Sequence, residues 1–325
     1  MVICIGEVLF DLISDQPGAA LEDVTVWISY PGGAPANVAC GVRRLGIESA
    51  FIGAIGDDTL GSQLVDTLQS NGVDRTGIQR IEGYPTRCVL VTRDLMGDRT
   101  FAAFGENRSS ECFADTRLDA EKLPLEFLRS ASYLVTGTLG LASSDTGKAI
   151  HRAIDVVKES DGIIVTDLNW RSVFWPDFNA AQVPIRGILA KTDILKLTDE
   201  EAELFFSTVD PVEIHDRFPH LNAILLTRGD RGCAYWMAGH SGECPSFQVS
   251  VEDTTGAGDA FLAGFLSQHS KYSSTNSLTD TTSIQSAIRY ASAAGALTTL
   301  KRGAIAALPT SAEIEAFLRD WRSRN

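Results

Sequence analysis

The residues with the most evident chemical capacity are Asp253-Thr254-Thr255-Gly256-Ala257-Gly258-Asp259-Ala260-Phe261. Ahead of them Phe247, Val249 and Val251 alternate with polar residues, which predicts a strand buried on one face. After them Phe261 and Phe265, and Leu262 and Leu266, recur at helical spacing. A strand-to-helix turn is therefore expected. Gly256 and Gly258, with the small Ala257 between them, let main-chain amides crowd around a guest, and amides that open a helix have no partners of their own. An anion can supply one. Asp259 admits two readings: a helix N-cap, with the glycines only turning the chain, or a carboxylate beside an anion site that is there to take a proton.

A turn of this kind needs a scaffold, and the rest of the chain has the pattern of one. Val2-Ile3-Cys4-Ile5 is a short apolar run, as expected of a strand covered on both faces, and it leads through Gly6-Glu7 to Asp11. Pro31-Gly32-Gly33-Ala34-Pro35-Ala36-Asn37 opens a helix whose apolar face includes Val38, Val42 and Leu45 and which stops at Gly46. A buried strand over residues 51–56 and a helix over 61–72 follow. From Ser132 onward the alternation is regular: apolar runs at 133–135, 163–165, 194–197 and 223–226 each end in polar residues, and a helical stretch follows most of them. This predicts an α/β fold, a doubly wound and mostly parallel sheet flanked by helices, with ligands at the carboxyl ends of the strands.

Residues 84–106 differ in character. Residues 88–92 and 99–104 flank Leu95-Met96-Gly97-Asp98, a hairpin signal that does not fit a parallel array. Together with parts of residues 9–30 they are expected to form a small separate sheet, inserted as a lid in a single domain spanning 1–325. The Ser/Thr-rich residues 270–283 read as a surface loop, and 283–301 as a helix.

A net charge of −14 argues against nucleic acid and anionic membranes as partners. Any polyanionic substrate must then be held by local positive groups or a metal. Cys4, Cys40, Cys88, Cys112, Cys233 and Cys244 are scattered without a CxxC pair, and the five histidines form no ligand pattern. Met1 leads directly into the first strand without a basic segment or an apolar run of membrane length, so a cytoplasmic protein is expected.

Two stretches, Gly32-Gly33-Ala34-Pro35-Ala36-Asn37-Val38-Ala39 with Leu45-Gly46, and residues 253–261, resemble the two signatures of the ribokinase-like (PfkB) carbohydrate kinases. The likeness extends from Gly6-Glu7 to Leu308-Pro309-Thr310. Within the family the chain is most similar to fructokinases, through Asp167-Leu168-Asn169-Trp170-Arg171, Trp175-Pro176 and residues 295–310. The resemblance implies that Gly256, Ala257 and Gly258 form an anion hole for the transferring γ-phosphoryl and that Asp259 accepts the sugar hydroxyl's proton. It places Asp11, Gly32, Gly33, Asn37, Asn169 and Arg171 around the sugar, with Arg87 as a further candidate that could equally solvate a strand edge. Arg171 could pair with a phosphate, an acidic sugar or a neighbouring carboxylate. For ATP the likeness implies Lys196, Thr227, Gly229, Gly232 and Ser292, the last replacing an asparagine often found beside the purine. Glu201 would organise Mg²⁺ through water, although Thr198 stands where the family usually has asparagine. Asp253, the Thr255 carbonyl and Gly303 resemble a monovalent-cation site, with K⁺ as its occupant.

The expected activity is ATP-dependent phosphorylation of a sugar, D-fructose to fructose 6-phosphate. A sibling expectation is 2-keto-3-deoxygluconate kinase, with Arg87 and Arg171 as carboxylate partners. A nicotinamide oxidoreductase fits poorly, because the dinucleotide fingerprint belongs on an early strand. A non-catalytic sugar or nucleotide sensor is disfavoured by the presence of Asp259. Family likeness also implies a homodimer through the lid, and the hairpin is expected to close over the sugar and exclude water.

Overall fold

The computed structural model describes residues 1–94, 99–105, 109–175, 177–273 and 278–324. Among them run thirteen strands: β1 (Val2–Ile5), β2 (Leu9–Ser14), β3 (Trp27–Gly32), β4 (Ser49–Gly56), β5 (Asp74–Ile81), β6 (Cys88–Arg93), β7 (Arg99–Phe104), β8 (Tyr133–Gly137), β9 (Ile163–Asp167), β10 (Ile194–Thr198), β11 (Ala223–Thr227), β12 (Cys233–Met237) and β13 (His240–Cys244). Nine form the main sheet in the order β13-β12-β11-β10-β9-β8-β1-β4-β5. Its pairs are parallel from β11 to β5, and β12 and β13 join one edge antiparallel. The chain winds from β1 out to β5, then returns to β8 and winds the other way. That reversal beside β1 opens a crevice at the carboxyl ends of the strands.

Alternate residues of a strand point to opposite faces, and each face here is covered by helices. Val2 and Cys4 belong to the core formed with the helices Ala34–Arg44, Ala257–Ser273 and Thr281–Thr298. Ile3 and Ile5 belong to the opposite core, formed with the helices Ser144–Lys158 and Phe178–Leu189. All four are fully buried, and each of the three aliphatic residues Val2, Ile3 and Ile5 contributes about 1.5–3 kcal/mol. This two-sided burial is why β1 reads as an unbroken apolar run.

The remaining four strands form the smaller sheet, β3-β2-β6-β7, from both expected segments. β6 and β7 pair antiparallel as a hairpin. The predicted turn at Leu95–Asp98 and the last residue of the 84–106 segment lie outside the described residues, as does Pro176.

Three expectations change. Residues 247–251 form no strand: Phe247 instead packs on Phe317 and Trp321 of the C-terminal helix Ser311–Arg324, with ring centroids 5.0 and 5.1 Å away, while Val251 is 56% exposed. Burial fades along the stretch, from Phe247 through the half-buried Val249 to the exposed Val251, without a main-chain ladder. The helix Ala257–Ser273 runs into the expected 270–283 loop, of which 274–277 lie outside the described residues. The following helix is Thr281–Thr298 rather than 283–301, because the Asp280 side chain accepts from the N–H groups of Thr282 and Ser283 and caps it there. β5 and the β12–β13 hairpin are strands that the sequence pattern did not announce.

Candidate active site

Gly256 has φ +73°, and a Cβ on it would stand 2.8 Å from the Cβ of Ala304, so only glycine fits this turn. The helix then begins at Ala257, which makes Asp259 the third residue of its first turn and not its N-cap. Among the described residues the N–H groups of Gly256, Gly258 and Asp259 meet no main-chain acceptor. A helix N-terminus with three main-chain donors left over is the kind of arrangement that can bind an anion.

Lys196 lies directly beneath. A Cβ on Gly258 would come 2.9 Å from its Nζ. Lys196 occupies the middle of β10, in register with Asp167 at the end of β9, and its ammonium donates to both Asp167 oxygens at 3.0 and 2.9 Å. Burial alone would lower the Lys196 pKa; Asp167, then Glu201 and Asp259, reverse this and raise it. The ammonium is therefore fixed as a cation under the anion site. Lys196, expected from the sequence among the ATP contacts, thus lies beside Gly258 of this turn.

Asp259 keeps partial access to solvent but is ringed by protein atoms. Its pKa is raised to about 6 by burial first and by Asp167 second, against Lys196, the hydrogen bond from Asn37 and Arg171. A carboxylate in this state is still ionised at neutral pH and is a better base than a solvated one. Asn37 donates from Nδ2 to Asp259 Oδ2 at 2.8 Å across 222 residues of chain.

Two glycines precede the helix that carries Asn37, where side chains would not fit. A Cβ on Gly32 would lie 2.5 Å from Asp11 Oδ2, and one on Gly33, where φ is +102°, would lie 2.6 Å from the Glu7 carbonyl. Asp11 is 6% exposed. On the far side Asn169 adopts φ +42°, a left-handed conformation that turns the chain after β9. Arg171 donates to the Trp170 carbonyl at 2.7 Å and is close enough to lower the pKa of both Asp259 and Glu201. Asp11, Gly32, Gly33, Asn37, Arg171 and Asp259 thus converge.

Arg87 does not solvate a strand edge. Its side chain is 1% exposed and its Nε donates to Asp115 Oδ2 at 2.6 Å. Its other nitrogens reach Ser110 Oγ and the Ser110 carbonyl, and Phe104, Phe113 and Phe174 surround the guanidinium. Asp115 was not a candidate from the sequence. Neither was Asp167, although a lysine inside an apolar strand is a signal that a carboxylate must lie opposite it.

The expected nucleotide residues lie along the neighbouring strand ends. Thr227 ends β11, and its hydroxyl donates to the Leu197 carbonyl at 3.3 Å. Gly229 and Gly232 have φ +56° and +92°, and a Cβ on Gly232 would lie 2.1 Å from the Cys244 carbonyl. Ser292 contacts Cys244 Sγ at 3.8 Å.

Glu201, the residue expected to organise Mg²⁺ through water, is held by the main chain. Its Oε1 accepts from the Trp170 N–H at 2.5 Å and its Oε2 from the Thr198 N–H at 2.8 Å, while Thr198 Oγ1 accepts from the Glu201 N–H. This reciprocal cap explains the threonine in place of asparagine. Among the described residues no group of three or more His, Cys, Asp or Glu is placed to hold a metal ion. Asp253 accepts from the Thr255 N–H (2.9 Å), Thr255 Oγ1 (2.6 Å) and the Gly303 N–H (2.8 Å). These bonds order the loop that carries the Thr255 carbonyl.

The pattern described as pfkB family carbohydrate kinase matches residues 1–311. The chain is 37% identical over 327 residues to a protein named probable fructokinase-3 from Arabidopsis thaliana, covering 100% of this chain and 93% of that one. It superposes on the crystal structure of fructokinase with bound ATP from Xylella fastidiosa with a TM-score of 0.87 and 27% identity, covering 99% and 98% of the two chains. A fructokinase double mutant from Vibrio cholerae O395, in fructose, ADP and potassium ion bound form, gives a TM-score of 0.83 and 28% identity over 98% and 97%.

Proposed function

The chain belongs to the pfkB family of carbohydrate kinases and is an ATP-dependent sugar kinase, and from this premise we propose that it phosphorylates D-fructose to fructose 6-phosphate. The single observation that carries the mechanism is Asp259, bonded to Asn37 and adjoined by three unclaimed N–H groups over the Lys196 ammonium. Asp259 takes the proton of the attacking hydroxyl. Gly256, Ala257 and Gly258 receive the γ-phosphoryl, whose growing charge the N–H groups and Lys196 offset, so that catalysis is mostly positioning and electrostatics. Asp11, Gly32, Gly33, Asn37, Asn169 and Arg171 hold the sugar. Thr227, Gly229, Gly232 and Ser292 hold the nucleotide.

Mg²⁺ enters with the nucleotide as its phosphate counter-ion, since the Glu201 oxygens are already engaged. K⁺ is the proposed occupant of the loop of Asp253, Thr255 and Gly303. The smaller sheet acts as a lid on one catalytic unit spanning residues 1–325, and its outer face pairs two copies. No helix among the described residues is long and apolar enough to cross a membrane, and we place the protein in the cytoplasm.

Fructose is favoured over 2-keto-3-deoxygluconate because Arg87, one of the two arginines that could meet an acid group, is paired with Asp115. A coupled ADP-release assay over a sugar panel tests the choice. Higher kcat/KM for the keto acid than for fructose would defeat the fructose assignment.

A further inference from the structure

One carboxyl group in the well of Asp259 has no task in the reaction just described. Glu7 follows β1 at the carboxyl edge of the main sheet and is 4% exposed. Neither of its carboxyl oxygens has a hydrogen-bond partner. Its main-chain carbonyl lies against Gly33. Its own N–H and that of Ala34, the first residue of the helix Ala34–Arg44, are near enough to lower its pKa, yet neither makes a hydrogen bond of good geometry to it. The charged groups that face it are Asp115, from the short turn Ala114–Thr116, and Asp259, from the first turn of the helix Ala257–Ser273.

The neighbours share the peculiarity. Asp115 gives Oδ2 to Arg87, but its Oδ1 meets no donor. Asn37 gives Nδ2 to Asp259, and its Oδ1 likewise meets none. Glu7, Asn37 and Asp115 therefore hold four buried oxygens without a hydrogen-bond partner. Each such oxygen costs about 1–3 kcal/mol if it stays unsatisfied. A fold that gathers them beside its catalytic acid leaves the partners to be supplied by what binds. A sugar ring supplies several.

Resting on the sugar-kinase reading, we propose that Glu7, with Asp115 beside it, is a sugar-recognising residue that hydrogen-bonds hydroxyls other than the one Asp259 deprotonates and so sets the choice among neutral sugars. Arg87 acts through Asp115 as a positioning residue, fixing the carboxylate that stands next to Glu7. Burial pushes the Glu7 carboxyl up to about 8, with Asp115 and Asp259 adding to the rise and the two N–H groups opposing it. At neutral pH Glu7 is thus an uncharged acid with one O–H to give and a carbonyl to receive. Above pH 8 it ionises, loses its donor and adds a negative charge beside Asp259 and Asp115. Sugar binding weakens.

The test compares the full-length protein with Glu7→Gln and Glu7→Leu, measuring kcat and KM for D-fructose, for its deoxy and epimeric analogues and for ATP between pH 6 and 9. In the wild type the sugar KM rises above pH 8. In Glu7→Gln, which keeps the shape and cannot ionise, that rise is absent. Glu7→Leu raises the sugar KM about 10- to 100-fold while the ATP KM stays within about twofold, and it erases the penalty against whichever analogue lacks the contacted hydroxyl. An alkaline rise that persists in Glu7→Gln overturns the proposal, and this arm decides if Glu7→Leu does not fold. A Glu7→Leu protein that discriminates among the analogues as the wild type does overturns it as well. Wild-type ADP release on the same panel reports separately on the underlying reading: no turnover with any sugar defeats that reading, whereas turnover with unaltered variants defeats only the role of Glu7.

Discussion

Replacing Asp259 by asparagine removes one proton acceptor and leaves the rest of the side chain in place. Asn37 can still bond to the new amide, and the helix N-terminus is undisturbed because Asp259 is not its cap. Loss of a positioned base lowers kcat by about 10²–10⁴-fold. The same change should stabilise the fold. The Asp259 carboxyl moves from 3.8 to about 6 on folding, so the native state binds its proton more tightly than the unfolded chain does. The cost of keeping it ionised is absent below about pH 4, grows between pH 4 and 6, and is complete above pH 6. At about 1.4 kcal/mol per pH unit it reaches roughly 3 kcal/mol. With an unfolding entropy of about 2 cal/mol/K per residue, this ceiling corresponds to a melting temperature about 4 °C higher. A coupled ADP-release assay measures turnover, and melting curves at pH 7.5 and pH 4 measure stability. We expect a nearly inactive variant that melts higher at pH 7.5 and together with the wild type at pH 4. Turnover within tenfold of wild type, or a lower melting temperature at pH 7.5, would refute the assignment of Asp259 as a strained base.

Protonation of Asp259 should make wild-type kcat/KM fall about tenfold per unit below about pH 6; a profile flat down to pH 5 contradicts this. Lys196→Met removes the strongest group that lowers the Asp259 pKa and leaves Asp167 buried without its cation. Its acid limb should move to higher pH, and denaturant titration should show a loss of about 3–5 kcal/mol. Gly258→Ala drives a methyl group to 2.9 Å from Lys196 Nζ at the anion site, so kcat should fall at least about tenfold with a stability loss of about 1–3 kcal/mol. An unchanged kcat would show that the phosphoryl group is received elsewhere.

Much of this protein follows from local chemistry. Unbroken apolar runs such as residues 2–5 can form strands only where both faces are covered, and that alone implies a parallel sheet between helix layers. The residues Gly256, Gly258 and Asp259 suit either a capped turn or an anion site with a proton acceptor, and the family resemblance of the stretch around them favours the second. Periodicity misled at residues 247–251, which pair with no strand: Phe247 is buried by packing on the C-terminal helix, whereas Val251 is exposed. Local pattern reports burial, and burial has more than one cause.

Partners far apart in the chain were decided only by the tertiary structure. Asn37 meets Asp259, Lys196 meets Asp167, and Arg87 meets Asp115 rather than solvent. Glu201 closes a helix cap that also reaches Trp170. Sequence chemistry states what each of these groups needs, a counter-charge or a hydrogen-bond partner. Which group supplies it depends on strand register and on the winding of the chain around β1, and those are set by the collective packing of both faces of the sheet.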